Sequence, residues 1–158
     1  MTTTIETAGP NGVPAIVPIL NPLIRRLLRI GMPMGPNVLL TIRGRSSGEP
    51  RTFPITLMEA NGRQYVFATF GETNWVRNLR ASGQAIVRRG RHEHAVVAHE
   101  LTPEEAAPVL RVALDRFLNS PARPLIRRWY ELDDDSTPED SLREARRHAG
   151  FELTEETR

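Results

Sequence analysis

Residues 38–70, VLLTIRGRSSGEPRTFPITLMEANGRQYVFATF, hold three β-type patterns in succession. Val38, Leu40 and Ile42 alternate with Leu39, Thr41 and Arg43, the period of a strand with one buried face. Phe53, Ile55 and Leu57 repeat that alternation over Arg51–Met58. Asn61-Gly62 is the residue pair of a type I′ turn, so it predicts a hairpin into a third run, Gln64–Phe70. Pro54 cannot donate to a ladder, which places the second strand at a sheet edge or a bulge.

Working outward, the spacing predicts a short helix over Asn74–Ala81, stopped by Gly83. Gln84–Arg89 and Arg91–Leu101 form another hairpin, turning at Gly90. Thr102-Pro103-Glu104-Glu105 is a helix start, and that helix runs to about Leu118. Pro124–Leu132 reads as a further short helix, and Thr137-Pro138-Glu139-Asp140 opens one that ends near Ala149-Gly150. Residues 103–149 are thus a helical segment, and Phe151–Thr154 reads as a final strand. Upstream, Asn21-Pro22 opens a helix over residues 22–30, with Leu23, Ile24, Leu27 and Leu28 on one face and Arg25, Arg26 and Arg29 on another. Residues 1–12 read as a flexible tail, and 13–158 as one domain. Strands in consecutive hairpins with inserted and appended helices make an α+β barrel of mainly antiparallel strands.

Composition removes several chemistries. The 158-residue chain has no cysteine, so disulfides, thiolate catalysis and iron–sulfur clusters are excluded. All 21 basic residues are Arg, which excludes Schiff-base chemistry and a lysine P-loop. Residues 1–100 carry 12 Arg against 6 Glu, a balance of +6, while 101–158 carry 9 Arg against 13 acids, a balance of −4. A basic first part points to an anionic ligand or surface, and the acidic last part argues against a nucleic-acid partner. Asp is absent before residue 101 and no G-x-S-x-G elbow occurs, so hydrolytic chemistry is not expected. His92 and His94 share a strand face beside Arg88, Arg89 and Arg91, without a third ligand, so no metal is expected. The first Arg, Arg25, follows the apolar stretch instead of preceding it, unlike an export signal, and the expected location is cytoplasmic. For the basic helix at 22–30, a surface helix packed on the barrel is the plainer reading. Its alternative is weak peripheral contact with the inner membrane face through Leu23, Leu27, Leu28, Arg25, Arg26 and Arg29.

Two clusters could carry chemistry. The segment Arg43-Gly44-Arg45-Ser46-Ser47-Gly48-Glu49-Pro50-Arg51 joins the first two strands. Its guanidinium forks suit phosphate or carboxylate, and its glycines allow close backbone approach; a solvated hairpin turn is the plainer alternative. The second cluster is Phe70-Gly71-Glu72-Thr73-Asn74-Trp75-Val76-Arg77-Asn78. It sets free N–H groups at a helix start, with Trp75 and Asn78 one turn apart. There the alternative is a buried Trp anchoring the helix, with Thr73 and Asn78 as caps.

Together these segments resemble the deazaflavin-dependent nitroreductases. Leu39-Leu40-Thr41-Ile42-Arg43-Gly44-Arg45-Ser46-Ser47-Gly48 through Arg51-Thr52-Phe53-Pro54-Ile55 is similar to that family's GRKSG…R…PL segment. YVFATFG at 65–71 resembles its strand ending in a small-aromatic-Gly turn, and Trp75-Val76-Arg77-Asn78-Leu79-Arg80-Ala81 resembles its W-x-x-N-L-x-A helix. The resemblance implies a split β-barrel that binds coenzyme F420 and passes hydride to a small-molecule electron acceptor: a quinone, a nitro compound or another activated unsaturated molecule. It maps the phosphate-binding loop onto Arg43, Arg45, Ser46, Ser47, Gly48 and Arg51. Ring contacts fall on Phe53, Pro54, Ile55, Ala68, Thr69, Phe70 and Gly71, and helix contacts on Trp75 and Asn78. No catalytic side chain is implied, since the coenzyme donates the hydride. Ser46 stands where the family commonly carries Lys, and of the tyrosines that family often places near its substrate only Tyr130 is available. An FMN-dependent reductase and a non-catalytic lipid- or cofactor-binding barrel are the alternatives.

Overall fold

The computed structural model describes Pro22, Leu23, Arg26, Leu27, Ile30 and residues 35–157. Seven strands form one antiparallel sheet: β1 (Asn37–Arg43), β2 (Pro50–Thr56), β3 (Met58–Ala60), β4 (Arg63–Phe67), β5 (Gln84–Arg89), β6 (His92–Glu100) and β7 (Gly150–Glu155). Their order across the sheet is β2-β1-β5-β6-β7-β4-β3. Within residues 35–157, four helices accompany them: α1 (Asn74–Ser82), α2 (Pro103–Leu118), α3 (Arg123–Trp129) and α4 (Pro138–Arg147).

The strands form where the alternation predicts them. Val38, Leu40 and Ile42 of β1 are fully buried in the inner core. Asn61 and Gly62 take φ of 52° and 74°, as a type I′ turn demands, and join β3 to β4. Pro54 lies on β2, an edge strand paired only with β1, where a missing donor costs little.

One feature departs from the predicted pattern. The run Arg51–Met58 is not a single strand; it breaks at Leu57 into β2 and β3, which lie at opposite edges of the sheet. A flat seven-stranded sheet would hold those edges six strand spacings apart, roughly 29 Å. Across one residue, Thr56 and Met58 have Cα atoms no more than about 7.6 Å apart. The sheet therefore has to curl until its edges meet, which makes it a barrel split between β2 and β3. Leu57 is buried at the split, and its N–H donates to the Pro36 carbonyl at 2.9 Å.

Curling gives the sheet two packed faces. Inside lie Ile55 and Leu57 with Val66, Ala68, Leu79, Phe151 and Leu153. Outside, Met58, Ala60, Tyr65 and Phe67 meet Ala106, Leu110 and Leu114 of α2, together with Tyr130 and Ala145. Strand β4 is thus buried on both faces, and the helical segment predicted over 103–149 forms the second layer.

Of the predicted basic helix, Pro22, Leu23, Arg26 and Leu27 are helical, with Leu23 and Arg26 exposed and Leu27 half-buried. Ile24, Arg25, Leu28, Arg29 and the predicted tail at 1–12 lie outside the described residues. No described helix is long and apolar enough to cross a membrane.

Gly150 pairs with Phe67, and a Cβ there would lie 2.5 Å from Phe67 Cε1. Gly150→Ala should therefore cost about 1–3 kcal/mol as overpacking. Urea unfolding checks this, and wild-type stability would contradict it.

Candidate functional site

Two chain segments and the face of one helix converge near the barrel split. The first is the β1–β2 loop. The Gly44 N–H donates to the Glu49 carbonyl at 2.8 Å, and the Gly48 N–H donates to the Gly44 carbonyl at 2.9 Å. A Cβ on Gly44 would lie 3.0 Å from Ser47 Oγ and 3.1 Å from the Glu49 carbonyl, so no larger residue fits this turn without adjustment. Gly48 takes φ of 73°. Ser47 Oγ accepts from the Glu49 N–H, so this hydroxyl helps to close the loop. Arg43, Arg45, Ser46, Ser47 and Arg51 are exposed around it. Among the described residues, no carboxylate pairs with Arg43, Arg45 or Arg51.

Helix α1 holds this loop in place. Asn78 is buried to 5% exposure, and its Oδ1 accepts from both the backbone N–H of Arg45 (3.3 Å) and Arg45 Nη1 (2.8 Å). Residues 33 apart in sequence thus meet at one amide oxygen. Asn78 is not a cap; it fixes the loop backbone and aims one guanidinium.

The second segment is the turn from β4 into α1. Ala68 N–H donates to the Ala149 carbonyl at 2.8 Å, and Gly71 N–H returns to the Ala68 carbonyl at 3.1 Å. Gly71 takes φ of 76°, which favours glycine here. Thr73 occupies the N-cap position, but its side chain makes no capping bond. Its Oγ1 is buried without a partner among the described residues. Arg80 ties the turn down, donating to Glu72 at 2.7 Å and to both oxygens of Glu100. That bond from Arg80 holds the Glu72 carboxyl below its ordinary range. Trp75 packs against the inner core beside Phe151, with ring centroids 6.1 Å apart. On β2, Phe53 and Ile55 belong to that inner core together with Ala68, whereas Pro54 lies on the opposite face of the strand.

The sequence reading missed what stands behind this turn. Tyr130, the tyrosine the resemblance offers near a substrate, is buried to 1% and shares a hydrogen bond of 2.8 Å with Thr69 Oγ1. His148 Nδ1 donates to the Ala68 carbonyl at 2.9 Å, and its Nε2 faces Glu144 Oε2 at 3.1 Å. Phe70 meets Trp129 edge-on at 5.2 Å. The Glu144/His148 spacing of four on one helix face was the available signal.

The family of F420H(2)-dependent quinone reductases matches residues 28–120, more than half of the chain. The chain belongs to that family. It is an F420-dependent oxidoreductase, and its cofactor is coenzyme F420. Solved structures agree on the split-barrel fold of this reductase. An F420-H2 dependent reductase, FDR-A, is similar with TM-score 0.52 and 23% identity, covering 75% of this chain and 94% of that one. A structure described as a domain-swapped dimer has TM-score 0.55 and 20% identity, covering 89% and 100%. A conserved hypothetical protein from Mycobacterium tuberculosis has TM-score 0.55 and 13% identity, covering 78% and 74%. No curated protein matches the chain.

Asn78→Ala should cost the reductase about 1–3 kcal/mol, the scale of a buried hydrogen bond to a charged group, and should speed hydrogen exchange at the Arg45 amide. Unchanged exchange would show that the loop stands without this anchor. Burial also pushes the Tyr130 phenol above its ordinary value, opposed by the bond from Thr69. A raised folded value means that stability is whole below about pH 10 and is lost as pH rises further. Tyr130→Phe should cost about 1 kcal/mol at neutral pH. It should also reduce the alkaline loss by up to about 1.4 kcal/mol per pH unit, read by urea unfolding.

Proposed function

We propose that this enzyme uses reduced F420 to reduce a quinone, a nitro compound or another activated unsaturated small molecule, with the coenzyme held between the β1–β2 loop and the Ala68–Gly71 turn. The strongest support is the trio of Arg43, Arg45 and Arg51. Three guanidinium groups stand exposed on one rigid loop against the single carboxylate of Glu49, and none has an acidic partner among the described residues. A ligand carrying a phosphodiester and a polyglutamate tail supplies the anions that such a loop lacks. The partnerless Thr73 hydroxyl fits the same reading, since a polar ligand atom at the turn would satisfy it.

When bound, the reduced coenzyme supplies a hydride, which with one proton from water converts a quinone to a quinol. The protein's share is binding, orientation and exclusion of water. Arg43, Arg45, Ser46, Ser47, Gly48 and Arg51 bind the acidic groups. Gly71 lets the backbone approach a planar ring closely, and Phe53, Ile55, Ala68, Thr69 and Phe70 wall the site against water, with Pro54 on the other face of β2. Trp75 and Asn78 hold helix and loop in register.

Fluorescence titration with oxidised F420, run beside FMN, tests the reading. Wild-type protein should bind the deazaflavin saturably, and Arg45→Glu should weaken that binding by about 1.5–3 kcal/mol, the scale of a charge-assisted hydrogen bond. A folded Arg45→Glu protein with unchanged affinity would overturn the loop assignment. Turnover assays with quinones and nitroaromatics then identify the acceptor class.

A further inference from the structure

Behind the Ala68–Gly71 turn lies a buried titratable pair that hydride transfer does not use. Glu144 is fully buried and His148 is 6% exposed, an unusual depth for two ionisable groups. The histidine ring is held on every side. Its Nδ1 meets the Ala68 carbonyl from the end of β4, and its Nε2 meets Glu144 Oε2 from α4. The Tyr130 ring packs against it at 4.4 Å from the chain beyond α3. Arg147 donates to the other Glu144 oxygen at 3.1 Å and faces Glu131 at 3.4 Å.

Donor and acceptor counting limits the states of this pair. A carbonyl only accepts, so Nδ1 carries a proton. A carboxylate also only accepts, so the Nε2 contact is a hydrogen bond only if a second proton lies between His148 and Glu144. Remove that proton and two lone pairs face each other at 3.1 Å inside the protein, where an unmet contact is costly. The ring that grips the Ala68 carbonyl then loses its own support.

We propose that His148, oriented by Glu144, is a positioning residue for the Ala68–Gly71 turn, and that this pair sets how firmly the coenzyme site is held. This deepens the proposed function and rests on that placement of the coenzyme.

Rescue by the conservative variant separates this role from a merely structural one. A glutamine side chain can donate to a bare Nε2 or accept from a protonated one, so Glu144→Gln keeps the contact, whereas Glu144→Leu removes it. Oxidised F420 is titrated into wild type and both variants. Affinity should fall by roughly three- to tenfold in Glu144→Leu, the equivalent of one hydrogen bond, and return in Glu144→Gln. Equal affinity in all three proteins would overturn the proposal.

A coenzyme-free measurement guards against a misfolded variant or a misplaced cofactor. In labelled, coenzyme-free protein, the backbone amides of Thr69, Phe70 and Gly71 should exchange faster in Glu144→Leu than in wild type or Glu144→Gln, while those of β1 keep their protection. Unchanged exchange at the turn would overturn the proposal even if F420 binds. A loosened turn in a protein whose wild type binds no F420 would refute the proposed function and leave the positioning contact standing.

Discussion

A single residue sets the shape of this molecule. Leu57 alone separates β2 from β3, and these strands bound opposite edges of a seven-stranded sheet. Neither edge can extend freely, because the chain links them over less than two strand spacings. The curl brings β2 against β4 and places Phe53, Ile55, Val66 and Ala68 in one core. The loop that precedes β2 and the turn that follows β4 are thereby held near a common split. In the proposed placement of the coenzyme, this juxtaposition lets an acidic tail and a planar ring be gripped by different chemistry at a fixed separation.

The loop and the turn differ in how they are fixed. The arginine loop is closed by its own backbone at Gly44 and Gly48 and is anchored at one point, the buried Asn78 amide. The Ala68–Gly71 turn is fixed from behind: Ala149 and His148 bond the backbone of Ala68, and Tyr130 bonds the Thr69 side chain. The C-terminal helices are therefore more than a cover for the outer face of β4. They carry the groups that define the turn: His148, Glu144 and Tyr130 are all buried behind it.

Much of this was legible in the sequence. Alternation in β1, the Asn61-Gly62 turn and the Thr102 and Thr137 capping boxes each act over a few residues, so local chemistry determines them. The break at Leu57 was not legible. The alternation of Phe53, Ile55 and Leu57 runs straight through it to Met58, and only the closure of the whole barrel sends β2 and β3 to opposite edges. The loop arginines and the turn glycine were readable because guanidinium charge and positive φ are properties of single residues. The partnership of Arg45 with Asn78, and of Ala68 with His148, spans 33 and 80 residues, and nothing local encodes either. Tyr130 illustrates the cost: the resemblance offers it as a tyrosine near the substrate, whereas it is among the most buried side chains.

The central claim is that one coenzyme contacts both the arginine loop and the ring-side turn. An NMR titration of labelled protein with oxidised F420 tests it most directly. The account predicts saturable shifts at the amides of Arg45, Ser46 and Gly48 and, at the same concentrations, at those of Thr69, Phe70 and Gly71. Shifts confined to one segment, or centred on the outer helices, would contradict it.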